Sequence, residues 1–373
     1  MTDLLEALRK HYPRPEEAQA LLNRLTDDPA TPRVLYAPRR TGKTDFVKED
    51  LMPAARKAFF PIYADLWFAR SEPVQALLYA LEKALDGLTR PRSRSGKIAR
   101  TPVKGLSVLG SGITLGDEPA DAELPSAPGL RIAELLERLH ARAEKPLLLI
   151  IDEFQTLHDA SAGLDTAAAL RACLQAMRGR LFCVMTGSSR DKMSLMFDSI
   201  KASMHGFAKI EAFPMLGGGY VHALADAYSQ LAGVRLDEDV LLDAFRELDS
   251  RPKDLQELIR RLAAARSTDI AGALRGLREE LDQSEDLQVL WVAMKEIDRA
   301  VLKFVAHHPG AGLTSRQALR YYAHELGVDA LSASSVANAV DRLRQDAWLM
   351  EVSNNRYRFE TERQRRFVAA RLE

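Results

Sequence analysis

The feature that most limits what this chain can fold into is a β-type run that empties into a glycine-lysine turn and then a helix. Residues 33–37 (RVLYA) read as a strand, Pro38 to Gly42 as a turn, and a helix begins near Lys43. A second run rich in aromatic residues, 59–66 (FFPIYADL), follows the helix. That is a βαβ unit, and its right-handed crossover requires a parallel sheet.

Two more apolar runs extend the pattern. Residues 147–151 (LLLII), bounded by Pro146 and Asp152, suit a strand buried on both faces, and 181–185 (LFCVM) read the same way. Helical stretches at 71–88 and 164–177, and the periodic set Ile132, Leu135, Leu136 and Leu139, alternate with them, so the expected class is α/β with a parallel sheet. Beyond about Pro214 the pattern is wholly helical, at 219–231, 237–248, 252–265 and 270–281. A last segment changes again: helices at 298–307, 315–326 and 334–345 precede 348–359, whose two halves flank Asn354-Asn355. Three short helices and a hairpin are the parts of a winged helix-turn-helix.

The organisation expected is a core over 1–215, a helical lid over 216–285 and a winged helix-turn-helix over 286–373. The core carries an insertion at about 89–128. Arg90, Arg92, Arg94, Lys97, Arg100 and Lys104 crowd into its first half without an acid, and 106–115 (LSVLGSGITL) alternates as a hairpin would.

A length of 373 residues fits roughly two or three domains. Lys+Arg and Asp+Glu are 52 each, so overall charge favours no polyanion and any nucleic-acid contact must be a local patch. Cys173 and Cys183 fall in apolar segments without metal-ligand spacing and read as reduced core thiols. The opening MTDLLEALRKHY lacks a signal-peptide apolar stretch, and no run approaches eighteen apolar residues, so the expected location is the cytoplasm.

Ala37-Pro38-Arg39-Arg40-Thr41-Gly42-Lys43-Thr44 fits G-x-x-x-x-G-K-[ST] at every fixed position except the first. Gly42 lets backbone N–H groups close around a phosphate, Lys43 places a cation beside the β- and γ-phosphates, and Thr44 offers a hydroxyl to Mg²⁺. The helix N-terminus adds positive potential. Alanine at position 37 would cost about 1 kcal/mol if that position required positive φ. Asp152 and Glu153 end the 147–151 strand at its carboxyl end, where open α/β sheets build ligand crevices. Asp152 would complete the Mg²⁺ shell with Thr44, and Glu153 would polarise an attacking water. The two strand ends that carry these four residues are expected to be adjacent. Thr186-Gly-Ser188-Ser189-Arg190 ends the next strand. A hydroxyl from Thr186, Ser188 or Ser189 could touch the γ-phosphate, or the segment could be simply a turn.

These residues resemble the AAA+ superfamily of P-loop ATPases, and within it the archaeal-type ATPases that shade into STAND NTPases and origin-recognition initiators. The matching text is APRRTGKT, PIYADLW, LLLIIDEFQTL with Gln155 behind the acids, TGSS, and Arg251-Pro-Lys-Asp-Leu at a helix start. The resemblance implies a five-stranded parallel sheet, a helical lid, ATP and Mg²⁺ as ligands, and ATP hydrolysis coupled to motion of lid and winged helix. It makes Arg251 the lid arginine that reaches the γ-phosphate. Similar ATPases carry an arginine finger near a Gly-Arg, but here Gly206 is followed by Phe207. Arg190, a protein partner or a second copy of the chain are the expected substitutes.

Two targets follow. The 334–345 helix carries Asn338 and Arg342, and the hairpin carries Arg356 and Arg358, which together could meet duplex DNA. The alternative is a STAND-like switch whose winged helix clamps the core and whose output is a protein interaction. A degenerate nucleotide-binding scaffold without turnover is a third.

Overall fold

The computed structural model describes residues 10–89, 124–197, 202–282, 285–353 and 356–371. The basic insertion and the Asn354-Asn355 turn expected from the sequence therefore lie outside the described residues. Helix α1 (Pro15–Asp27) leads into β1 (Arg33–Tyr36). Helix α2 then runs as Lys43–Asp45, a π-type turn Phe46–Leu51, and Met52–Ala55. The core continues through β2 (Phe60–Asp65), α3 (Pro73–Thr89), α4 (Pro128–Ala143), β3 (Leu147–Asp152), a 3₁₀ turn Phe154–Asp159, α5 (Gly163–Ala176), β4 (Leu181–Gly187), α6 (Arg190–Phe197) and β5 (Lys209–Ala212).

The five strands pair in parallel in the order β2-β3-β4-β1-β5. Strand β3 shows why the sheet needs two covering layers. Leu147, Leu149 and Ile151 enter one apolar cluster with α3, α4 and α5, while Leu148 and Ile150 enter another with α1 and α2. Side chains alternate across a strand, so a continuous apolar run is the pattern of a sheet covered on both faces.

The fifth strand is the one that residue patterning did not locate. Lys209–Ala212 is four residues long and mostly exposed, because it pairs on one side only, with β1. An edge strand has no reason to be apolar on both faces. Buried Arg33 ties it down by reaching Glu211 at 3.3 Å.

Topology corrects a second expectation. The strand ends carrying the glycine-lysine loop and the two acids are not adjacent, because β4 lies between β1 and β3. Thr186, at the end of β4, therefore stands between the glycine-lysine loop and the two acids.

Helices α7 (Gly218–Ala232), α8 (Glu238–Glu247), α9 (Pro252–Ala265) and α10 (Ile270–Asp282) bury a third apolar cluster. A fourth cluster unites α11 (Glu285–Ala293), α12 (Glu296–His307), α13 (Arg316–Leu326), α14 (Ala333–Gln345), the antiparallel hairpin β6 (Leu349–Ser353) and β7 (Arg356–Phe359), and α15 (Glu362–Ala369). Helices α12 to α14 and the hairpin follow the order expected of a winged helix-turn-helix. Helix α15 fastens this C-terminal module to the helices before it. Arg366 pairs with Asp282 at 3.2 Å, Arg363 Nε donates to the Leu281 carbonyl at 2.8 Å, and the Glu362 amide donates to Asp249 at 3.0 Å. No helix among the described residues is long and apolar enough to cross a membrane. Both cysteines are free and buried, and burial pushes each thiol above its ordinary range.

Candidate functional site

The loop after β1 is shaped by backbone conformation. Arg40 and Gly42 take positive φ, 68° and 85°, whereas Ala37 is absent from the residues with positive φ. The expected penalty for alanine at position 37 therefore does not arise. Ala37 stays in the strand's path, its amide donating to the Gly187 carbonyl at 3.3 Å and its methyl buried in the core. Thr41 closes the loop from within, its hydroxyl donating to the Pro38 carbonyl at 2.8 Å. Gly42 opens α2 in the left-handed region, where a side chain is strained.

Lys43, buried at 5% exposure, folds back over this loop and donates to the carbonyls of Ala37 at 2.7 Å and Pro38 at 2.8 Å. Burial first, then the neighbouring Arg39, hold its ammonium below the ordinary lysine range, against the attraction of Glu153 and Asp152. Phosphate oxygens are better acceptors for a desolvated ammonium than two carbonyls.

Asp152 is the convergence point. Thr44 Oγ1 donates to its Oδ2 at 2.8 Å, Tyr63 OH donates to the same oxygen at 2.9 Å, and Thr186 Oγ1 donates to Oδ1. Residues from the start of α2, from β2 and from the end of β4 thus surround an acid from β3. Burial, then Asp152 beside it, push the Tyr63 phenol far above its ordinary range, which keeps it a donor. Asp152 accepts three neutral donors, and among the described residues it has no ion-pair partner. A buried carboxylate held in this way remains open to a metal cation.

Glu153 turns into the left-handed region at φ 58°, an uncommon conformation for a residue with a side chain. Ser188 donates to its Oε2 at 2.6 Å, and Gln155 Nε2 donates to the same oxygen. Gln155 Oε1 is buried without a partner. Gly187 makes this arrangement possible, since a Cβ there would lie 2.6 Å from Met193 Sδ and 2.9 Å from Gln155 Oε1.

The three hydroxyls left open by the sequence separate by position. Thr186 serves Asp152, Ser188 serves Glu153, and Ser189 accepts from the Lys192 amide at 3.4 Å in the first turn of α6. Arg251 precedes α9, half-shielded between Asp249 at 3.5 Å and Asp254 at 3.9 Å, and faces the same cleft. The side chain of Arg190 lies outside the described residues.

That cleft has a volume of about 900 Å³ and is walled by the core on one side and the C-terminal module on the other. Arg39, Glu153 and Ser188 line it with Asp298, Arg342 and Glu360. Tyr36 OH at the end of β1 donates to Glu360 at 3.2 Å and links the two walls. Of the residues expected to meet DNA, Asn338, Arg356 and Arg358 are exposed, but Arg342 is turned into the cleft and clasps Asp298 at 2.5 and 3.2 Å.

Tyr63, Trp67, Tyr36 and Glu360 escaped the sequence reading as site residues. Tyr63 carried one signal: it sits in the aromatic-rich run 59–66 that reads as a strand. The other three carried none, since they depend on contacts across large separations.

Strand order, the glycine-lysine loop and the acids at the β3 end define an α/β P-loop ATPase fold with a five-stranded parallel sheet. No family model matches the chain, and no curated protein matches its sequence. Solved structures do. A Walker-type ATPase of Pyrococcus abyssi aligns over 97% of this chain and 99% of its own, with a TM-score of 0.60 at 17% identity. The ORC2 protein of Aeropyrum pernix, in its ADPNP–ADP complexes, aligns over 98% of both chains with a TM-score of 0.55 at 14% identity. At such identities the likeness is one of fold.

Proposed function

We propose that this chain binds ATP with Mg²⁺ and hydrolyses it, and that its C-terminal winged helix lets DNA act on, or be acted on by, that cycle. One observation carries the reading: Lys43, Thr44, Asp152 and Glu153 converge on one buried corner with a hydrogen bond of 2.8 Å between Thr44 and Asp152. Thr44 Oγ1 and the Asp152 carboxylate are hard oxygen donors, which suit Mg²⁺. They would hold that ion, which when bound draws charge from the β- and γ-phosphate oxygens. Lys43 would leave the Ala37 and Pro38 carbonyls for the phosphates. Glu153 would take a proton from the attacking water. The ORC2 protein of similar fold was crystallised with ADPNP and ADP, which supports a nucleotide as the ligand.

The test is phosphate release by the intact chain with and without Mg²⁺, beside the Glu153→Gln variant. Turnover that needs Mg²⁺ and falls in the variant supports the reading. Turnover equal in both, or none at all, sinks it.

A second reading has its own observation. The bond from Tyr36 to Glu360 joins the C-terminal module to the end of β1, which suits a nucleotide switch with a protein output. A salt titration of duplex-DNA binding separates the two, because phosphate contacts give a steep slope and a flat one removes DNA.

A further inference from the structure

The site lacks the Gly-Arg that would bring an arginine from a neighbouring chain, yet an arginine already stands over its acids. Arg39 leaves the loop after β1 and projects into the cleft, where its guanidinium lies 4.4 Å from the ring centroid of Trp67, the second residue beyond β2. Its Nε donates to Ser188 Oγ at 3.4 Å, just beyond β4, and Ser188 in turn donates to Glu153 at the end of β3. Strands β1 and β2 are the outer pair of four, roughly 14 Å apart at about 4.8 Å per strand. Arg39 and Trp67 therefore lean toward each other across the carboxyl ends of β4 and β3, above the residues that would hold the γ-phosphate and the water.

Arg40 and Arg70 also line the cleft, Arg70 beside the same Trp67 ring at 5.4 Å, but it is Arg39 that reaches Ser188, and three further arginines are held by protein groups. Arg251 sits between two carboxylates, Arg342 is clasped by Asp298, and Arg363 reaches the Leu281 carbonyl. Among the described residues no ion pair holds Arg39. Its strongest attraction is to Glu153, and burial weakens its charged form. A guanidinium stacked on an indole keeps its planar fork directed while leaving its N–H groups free for phosphate oxygens.

We propose that Arg39 is the catalytic arginine of this ATPase, supplied in cis by the phosphate loop, so that hydrolysis needs no arginine from a second copy. The inference rests on the ATPase reading above. In the reaction the water oxygen bonds to Pγ, the bond from Pγ to the β–γ bridging oxygen breaks, and that electron pair leaves with ADP. Glu153 receives the water proton. Arg39 balances the negative charge that gathers on the γ-phosphoryl oxygens, the role for which an arginine is worth on the order of 10³-fold or more in rate.

The experiment compares the unaltered chain with Arg39→Ala and Arg39→Lys, reading single-turnover hydrolysis, ADP affinity and turnover per molecule across a range of protein concentrations. The expected result is a loss on the order of 10³-fold in hydrolysis for Arg39→Ala, with ADP affinity and melting temperature retained. Arg39→Lys should not restore the rate, because an ammonium lacks the fork. Turnover per molecule of the unaltered chain should not depend on concentration. Arg39→Ala with normal turnover would overturn the proposal. So would recovery of Arg39→Ala on mixing with Lys43→Ala chains, which can lend an arginine but not a nucleotide site. Absence of turnover in the unaltered chain would overturn the ATPase reading itself, and this inference with it.

Discussion

Asp152 in the sheet and Asp298 in the C-terminal module are both nearly buried, at 2% and 6% exposure, but their partners differ in kind. Three hydroxyls, from α2, β2 and β4, surround Asp152, while the Arg342 guanidinium clasps Asp298 with both oxygens engaged. A carboxylate held by neutral donors keeps its charge available to an incoming cation; one paired to a guanidinium has been neutralised already and serves the packing around it. Burial is common to both acids, and the charge of their partners is what separates them.

Substitutions at and around the two acids test this difference. Glu153→Gln should lower phosphate release by about 10²- to 10⁴-fold while leaving ATP bound, since a positioned base contributes that much. Lys43→Ala should weaken ATP binding by about 10- to 100-fold, the worth of one charge-assisted hydrogen bond, read by equilibrium titration. Asp298→Ala should leave nucleotide affinity unchanged but cost about 2 kcal/mol of stability in denaturant melts, because it strips Arg342 of its partner. If Asp298→Ala instead abolished turnover, the two acids would not differ as described. In duplex-DNA binding, Arg356→Ala and Arg358→Ala should each reduce the salt slope by about 1, and Arg342→Ala should leave it unchanged. An equal drop for Arg342→Ala would show that its clasp opens on DNA.

The same contrast explains what could be read from the sequence. Strands β3 and β4 announce themselves because both faces are covered, and the glycine-lysine loop because its chemistry tolerates few residue types. Helices α7 to α10 follow from their apolar spacing. Strand β5 stays silent because an exposed edge imposes no pattern, and the π-type turn Phe46–Leu51 because it shares its residues with an ordinary helix. Charge patterning put Arg342 on a candidate DNA face; the acid that clasps it, Asp298, lies 44 positions away. Strand order, not strand identity, likewise sets Thr186 between the loop and the acids.

The bond between Tyr36 and Glu360 joins positions 324 apart. At about 5–20 residues per second, a ribosome needs roughly 15 to 65 s to travel from one to the other. The last core strand ends at Ala212, so within that interval the nascent sheet can close before the last wall of the cleft is made. The order of synthesis thus lets the corner around Asp152 form first and be covered afterwards.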